Sequence, residues 1–292
     1  MSENNSTIAN ENEPMLKILD VPENERFDLA IRKLDFCRRW PRNLHNEFAA
    51  QTAVSKNSRK INKFLPICVD FLGEIVEYFG TAKESICEQI YPSLFEIVSN
   101  KIYDDFHPPL DDEEKQWQAE KGETLAKEGQ GGHVNVLSVD EWHSVEWSHS
   151  KLVYELFLLV LRSDKFRVTR AKDFVDQQFV RRLITNVAIC PHSEERRYLA
   201  QILRSIYLKF VRFRPHIRKH LFYSLGEAVF DERCQLATTK TFHGVAETLD
   251  ILENVIGAFK VPLKSEDKQM FSKVLLPLHK SDSFESFYKM VN

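Results

Sequence analysis

The 292-residue sequence predicts an all-α fold of stacked helix pairs. Three observations carry this. Apolar residues recur at steps of three and four along most of the chain, the spacing of one helix face. No alternating strand pattern of useful length appears. Glycine is scarce, at 9 residues against 21 phenylalanines, which disfavours a β fold dense in tight turns.

The elements follow in order. Met1–Glu25 is rich in Asn, Glu and Ser and reads as a disordered leader. Phe27–Arg39 is helical, with Phe27, Ala30, Ile31, Leu34 and Cys37 on one face and Pro41 ending it. Ile61–Phe79 carries the next stripe, and Pro66 within it predicts a late start or a kink. Pro92 suits the first turn of a helix over Pro92–Tyr103.

Asp104–Glu146 differs in character. It holds twelve acidic residues, three lysines and four of the nine glycines, and reads as a long acidic surface loop. Helix resumes with Leu152, Val153, Leu156, Phe157, Val160 and Leu161, and again over Phe179–Val187. Ser193 opens the next helix, and Glu194 and Glu195 suit its first turn. Pro215–Phe230 and Val245–Phe259 follow, and a last helix includes Phe271–Leu276, stopped by Pro277.

These are about ten helices, a pair every forty or so residues, which is the period of HEAT-like solenoids. Spacing alone leaves a compact all-α bundle open. The division is a leader over 1–25, four to five repeats over 26–280 with the acidic loop at 104–146, and a tail over 281–292.

The charge distribution is the strongest functional signal. The chain carries a formal charge of −3, yet Arg196–His220 holds eight Lys/Arg and no acid. The cations are Arg196, Arg197, Arg204, Lys209, Arg212, Arg214, Arg218 and Lys219. The same stretch bears the stripe Leu199, Ile202, Leu203, Ile206, Tyr207, Phe210 and Val211. The cations therefore flank a packed helix, and their surface attracts acidic partners. A solvated face balancing the acidic loop is the plainer alternative. Arg214 and Arg218 lie four apart, on one helix face. Tyr207 adds an apolar body and a hydroxyl, a mix that suits an acidic peptide with apolar anchors better than a phosphate backbone.

Catalytic chemistry is not evident. The chain has no GxxxxGK[ST], GxGxxG, HExxH or GxSxG run. His143 and His149 read as surface or loop-anchor histidines, and Cys234 with His243 makes a poor metal pair. Neither a cofactor nor a metal is expected. The five cysteines, Cys37, Cys68, Cys87, Cys190 and Cys234, form no CxxC pair. They read as reduced, mostly buried thiols of a cytoplasmic or nuclear protein. No apolar run reaches membrane-spanning length.

Several runs together resemble a known family. Lys151–Phe157 reads KLVYELF, Phe174–Val180 FVDQQFV, and Ile206–Lys219 IYLKFVRFRPHIRK. Gly244–Leu252 reads GVAETLDIL, followed by VPLK at Val261–Lys264 and VLLPLHK at Val274–Lys280. In this order and spacing they resemble the B-prime family of protein phosphatase 2A regulatory subunits, over roughly Phe27 to His279.

The resemblance implies a HEAT-like solenoid that is not an enzyme. It implies a subunit that brings the phosphatase scaffold and catalytic subunits to substrates. It also implies a groove for a Leu-x-x-Ile-x-Glu motif. By position, Tyr207, Arg214 and Arg218 would hold the peptide backbone and its acidic positions, while Ile251 and Val255 would floor the Leu pocket. Val255 replaces a family Ile, at a cost of about 0.5–1.5 kcal/mol.

Arg204 and Ser205 stand where the family has a His-Arg pair. Ser205 lacks the guanidinium that holds the motif's Glu, a loss of roughly 1.5–3 kcal/mol. Arg204 is the nearest substitute, so a changed peptide preference is expected. The sequence runs only a little past VLLPLHK, and the family's contact with the catalytic subunit draws on later repeats. The expectation for that contact is correspondingly weaker. A peptide-binding adaptor outside the phosphatase, and more weakly a nucleic-acid binder, are the alternatives.

Overall fold

The computed structural model describes residues 15–38, 56–82, 86–103, 139–234, 243–256 and 265–280. Among them no strand occurs, and the helices form two parallel rows. The first helices are α1 (Glu23–Arg38), α2 (Lys56–Thr81), α3 (Tyr91–Tyr103) and α4 (Val139–Arg162). After a short α5 (Val168–Ala171) come α6 (Gln177–Ile189), α7 (Ser193–Lys209), α8 (Arg214–Cys234) and α9 (Val245–Ile256).

Helices α1, α3, α6 and α8 stack in one row, and α2, α4, α7 and α9 in the other. The pairs α1–α2, α3–α4, α6–α7 and α8–α9 cross between rows. This is a HEAT-like solenoid of four helix pairs among the described residues. A fifth helical segment over 265–278 starts the next repeat by packing on α8.

The stripes explain the stacking. On α7, Leu199, Ile202, Leu203 and Ile206 are sealed from solvent, and on α4 so are Val153, Phe157, Val160 and Leu161. Aromatic rings fill the space between repeats. Phe95 meets Phe157 edge-on at 5.2 Å, and Phe166 meets Phe210 at 6.0 Å. Each fully buried large apolar side chain stabilises by about 1.5–3 kcal/mol relative to exposure. Polar groups stitch the same seams. Asp176 caps α6 by accepting from the Phe179 N–H at 2.7 Å. Ser93 on α3 bonds Asp35 on α1, and Asn186 on α6 donates to the Ile102 carbonyl at the end of α3 at 2.8 Å.

Four expectations change. The leader is shorter than 1–25, because Ile18 and Val21 are buried in the core and α1 begins at Glu23. Lys33 and Ile18 both donate to Glu74, which ties this segment to α2. The acidic segment ends earlier than Glu146, because α4 starts at Val139; the remainder, 104–138, lies outside the described residues, as do 1–14 and the tail from 281. His149 is no loop anchor: it sits within α4 at 1% exposure.

Pro277 does not stop the last helix. Ser265–Met270 is α-helical, Phe271–Leu275 widens into a π-turn, and Leu276–Leu278 returns to α with Pro277 in its first turn. A widened turn accommodates the missing proline N–H without breaking the element.

Candidate functional site

The basic segment spans α7, the turn at 210–213 and the start of α8. Ile217, Leu221 and Leu225 turn one face of α8 into the core, continuing from Phe213 in the preceding turn, leaving Arg214 and Arg218 together on a flank. The structure then assigns most of the cations a partner, and the partners fall into two kinds.

Two arginines meet carboxylates on α9. Arg196 Nε donates to Glu247 Oε1 at 3.1 Å, and its Nη1 donates to the carbonyls of Cys190 and Pro191 at 2.8 and 2.9 Å. Arg204 Nη2 donates to Asp250 Oδ2 at 2.7 Å and to the Asp250 carbonyl at 3.1 Å. These contacts join α7 to α9 along their seam.

Three cations donate to neutral carbonyls. Lys209 Nζ reaches the Ser163 carbonyl at 3.1 Å and lies 5.5 Å from the Phe166 ring. Arg212 Nη2 donates to the carbonyls of Lys172 and Val175, both at 3.1 Å. Arg214 Nε and Nη2 donate to the Tyr207 and Leu208 carbonyls, both at 2.9 Å, with the guanidinium 5.4 Å from the Tyr207 ring. The last carbonyls of α7 lack intrahelical partners, and Arg214 supplies one.

The residues singled out from the sequence are only partly brought together. Arg214 and Tyr207 are in direct contact. Arg204 is held against α9 one residue before Ile251. Ser205 Oγ turns back to donate to the Gln201 carbonyl at 2.8 Å. Arg218 is half-buried on α8. Ile251 and Val255 are 1% and 0% exposed, so they lie beneath the groove surface as core. Tyr207 is 6% exposed.

Sequence reasoning missed Asp250, and also Leu208 and Val211, which stand 59% and 63% exposed beside the cations. The signal for Leu208 was present, since it falls off the buried stripe of α7; Val211 was expected on that stripe and is instead exposed, because α7 ends at Lys209 and the 211–213 turn breaks the period.

The turn before α9 is seated by backbone contact. The N–H groups of His243 and Gly244 both donate to the Ala188 carbonyl, at 3.0 and 2.9 Å. A Cβ on Gly244 would fall 1.8 Å from the Val187 carbonyl oxygen, so only glycine fits. His243 titrates below its usual value because burial, and then Arg196, disfavour its charged form. Among the described residues no group of three or more His, Cys, Asp or Glu is arranged to hold a metal ion. No helix among them is long and apolar enough to cross a membrane.

The fold defines a HEAT-like repeat protein with a cluster of cations along α7 and the start of α8. Residues 14–292 match the family model described as Protein phosphatase 2A regulatory B subunit (B56 family), and the chain belongs to that family.

The chain is 31% identical over 275 residues to the rabbit (Oryctolagus cuniculus) serine/threonine-protein phosphatase 2A 56 kDa regulatory subunit beta isoform, covering 94% of this chain and 47% of that protein. It is 30% identical over 275 residues to the human alpha isoform, covering 94% and 48%. It is 34% identical over 209 residues to the Caenorhabditis elegans regulatory subunit pptr-1, covering 72% and 33%. The chain thus spans about half or less of the length of these curated relatives. All three are named regulatory subunits, so the family is one of regulators rather than catalysts.

Proposed function

We propose that the chain acts as a non-catalytic regulatory subunit of protein phosphatase 2A and recruits substrates through the α7–α9 groove. In this reading it joins the phosphatase scaffold and catalytic subunits. It holds a short acidic motif with Tyr207, Arg214 and Arg218, above the layer of Ile251 and Val255. The observation that carries the groove is Arg214. Its Nε and Nη2 are fixed on the Tyr207 and Leu208 carbonyls, so the guanidinium is already positioned before a peptide arrives.

Motif preference departs from the Leu-x-x-Ile-x-Glu pattern at its acidic end. Arg204 is engaged by Asp250, and Ser205 by the Gln201 carbonyl, so neither presents a free fork to the motif's Glu. The expected groove tolerates Gln or Ser there.

Co-purification tests the assembly. Tagged chain is expected to recover both the scaffold and the catalytic subunit from cell extract. Recovery of neither, with peptide binding intact, would establish the adaptor alternative and remove the phosphatase reading.

A further inference from the structure

We propose that the turn joining α7 to α8 is a docking ledge for an acidic peptide segment carrying an apolar side chain. Leu208 and Val211 stand 59% and 63% exposed and three residues apart. Their neighbours Phe210 and Phe213 are sealed at 0% and 4%. The aliphatic pair therefore faces outward on an otherwise packed turn; such a pair alone is ordinary surface, and the cations beside it are what set it apart.

The cations around it fix the kind of partner. Lys209, Arg212 and Arg214 flank the pair, and all three donate to backbone carbonyls. A carbonyl saturates an N–H but carries no formal charge, so it leaves the positive charge uncancelled. Arg214 is bonded to the Leu208 carbonyl itself, which sets one guanidinium beside the apolar patch. Lys172 lies in the loop that accepts Arg212. The 163–176 segment that accepts Lys209 and Arg212 sets Asp164, Asp173 and Asp176 against Lys165, Arg167, Arg170 and Lys172, so its acids do not reverse the positive balance. The side chains are held in place already, so an incoming acidic group costs little further ordering.

Peptide is favoured over single-stranded nucleic acid by the rings. Bases need open aromatic faces to stack on, and here Phe210 and Phe213 are turned inward while the outward residues are aliphatic. The ledge shares Arg214 with the proposed groove but goes beyond it, since it rests on Leu208, Val211, Lys209 and Arg212 and uses neither Ile251 nor Val255.

The test is fluorescence anisotropy on the full chain at low salt with a labelled Asp-Glu-Leu-Asp-Glu-Phe-Asp-Glu peptide. A second peptide has Leu and Phe replaced by Ser. Wild type is expected to bind the first peptide. Leu208→Ser/Val211→Ser should bind it about tenfold more weakly, through lost apolar burial. Because both residues are exposed, the thermal midpoint of that variant should match wild type. The Ser peptide should bind both proteins alike.

No binding to wild type, or equal binding of the first peptide by the two proteins, would overturn the ledge. So would an oligonucleotide that displaces the peptide and binds both proteins equally, since that assigns the cations to phosphate. Failure of a Leu-x-x-Ile-x-Glu peptide to bind would remove the groove while leaving this result standing.

Discussion

Lys33 in the first repeat and Arg214 in the fourth are both cations held near an aromatic ring, yet they are held in opposite ways. Lys33 is 0% exposed, lies 4.3 Å from the Phe71 ring, and donates to Glu74 Oε2 at 2.7 Å. Its charge is cancelled within the fold. Arg214 is half-exposed and donates to two carbonyls. Its hydrogen bonds are satisfied and its charge is not. Satisfying donors and neutralising charge are thus separable, and the solenoid does both at Lys33 but only the first at Lys209, Arg212 and Arg214. The same residue types seal one region and leave the other electropositive.

The largest expected effect comes from breaking the sealed pair. Lys33→Ala should cost about 3–5 kcal/mol in urea denaturation, because it strands the Glu74 carboxylate beside the core. Replacing both partners, Lys33→Met with Glu74→Leu, should recover all but about 1 kcal/mol, the share of the orphaned Ile18 N–H. A single variant as stable as wild type would show that Lys33 is not neutralised inside the fold.

Gly244→Ala comes next. Its Cβ meets backbone at 1.8 Å, which cannot move aside as a side chain would, so about 3 kcal/mol is expected. The same variant should loosen the α7–α9 groove, seen as faster amide exchange in α9.

Acid sensitivity separates the regions again. Burial is the main reason His149 titrates at about 3 rather than 6.5, with Lys101 reinforcing the shift and Glu146 opposing it. The unfolded chain therefore takes up a proton that the folded chain refuses. The resulting stability is complete above pH 6.5 and is lost as pH falls towards 3, by at most about 1.4 kcal/mol per pH unit. His220 and His243 are shifted down as well and act in the same direction. His149→Gln should flatten the slope of stability against pH in this window, measured by denaturation at pH 7, 6, 5 and 4.

The smallest effect belongs to Arg204 and Asp250, at 37% and 39% side-chain exposure. Breaking the pair should change stability by under about 1 kcal/mol. Asp250→Asn should raise affinity for acidic peptides, because it frees Arg204.

Much of the fold was legible in the sequence. The stripes on α1, α4, α7 and α9 are local facts, and local periodicity carries them. Ile18 and Val21 were hidden because two buried residues in a polar leader set up no period; packing of the 18–20 turn on α1 and α2 makes them core. Pro277 was misread because its cost depends on whether the preceding turn widens, which neighbouring packing decides.

The site was legible as a charge excess and not as an arrangement. Which carbonyl Arg212 reaches depends on how the 163–176 turn stacks on the 210–213 turn, a relation between repeats that spacing does not encode. Ile251 and Val255 entered only through the resemblance, as the floor of a Leu pocket; their sealing depends on how α9 packs on α7 and α8, which spacing does not encode.

The central claim is that Lys209, Arg212 and Arg214 join the repeats while keeping their charge available to a ligand. Titrating a labelled Leu-x-x-Ile-x-Glu peptide against wild type, Arg214→Lys and Arg214→Gln, with thermal midpoints from the same samples, tests it directly. Both variants should lose stability, since neither keeps the fork on the Tyr207 and Leu208 carbonyls. Arg214→Gln should also bind about tenfold more weakly, with Arg214→Lys between it and wild type. A lowered midpoint in Arg214→Gln with unchanged peptide affinity would contradict the account and make Arg214 a joint between helices and nothing more.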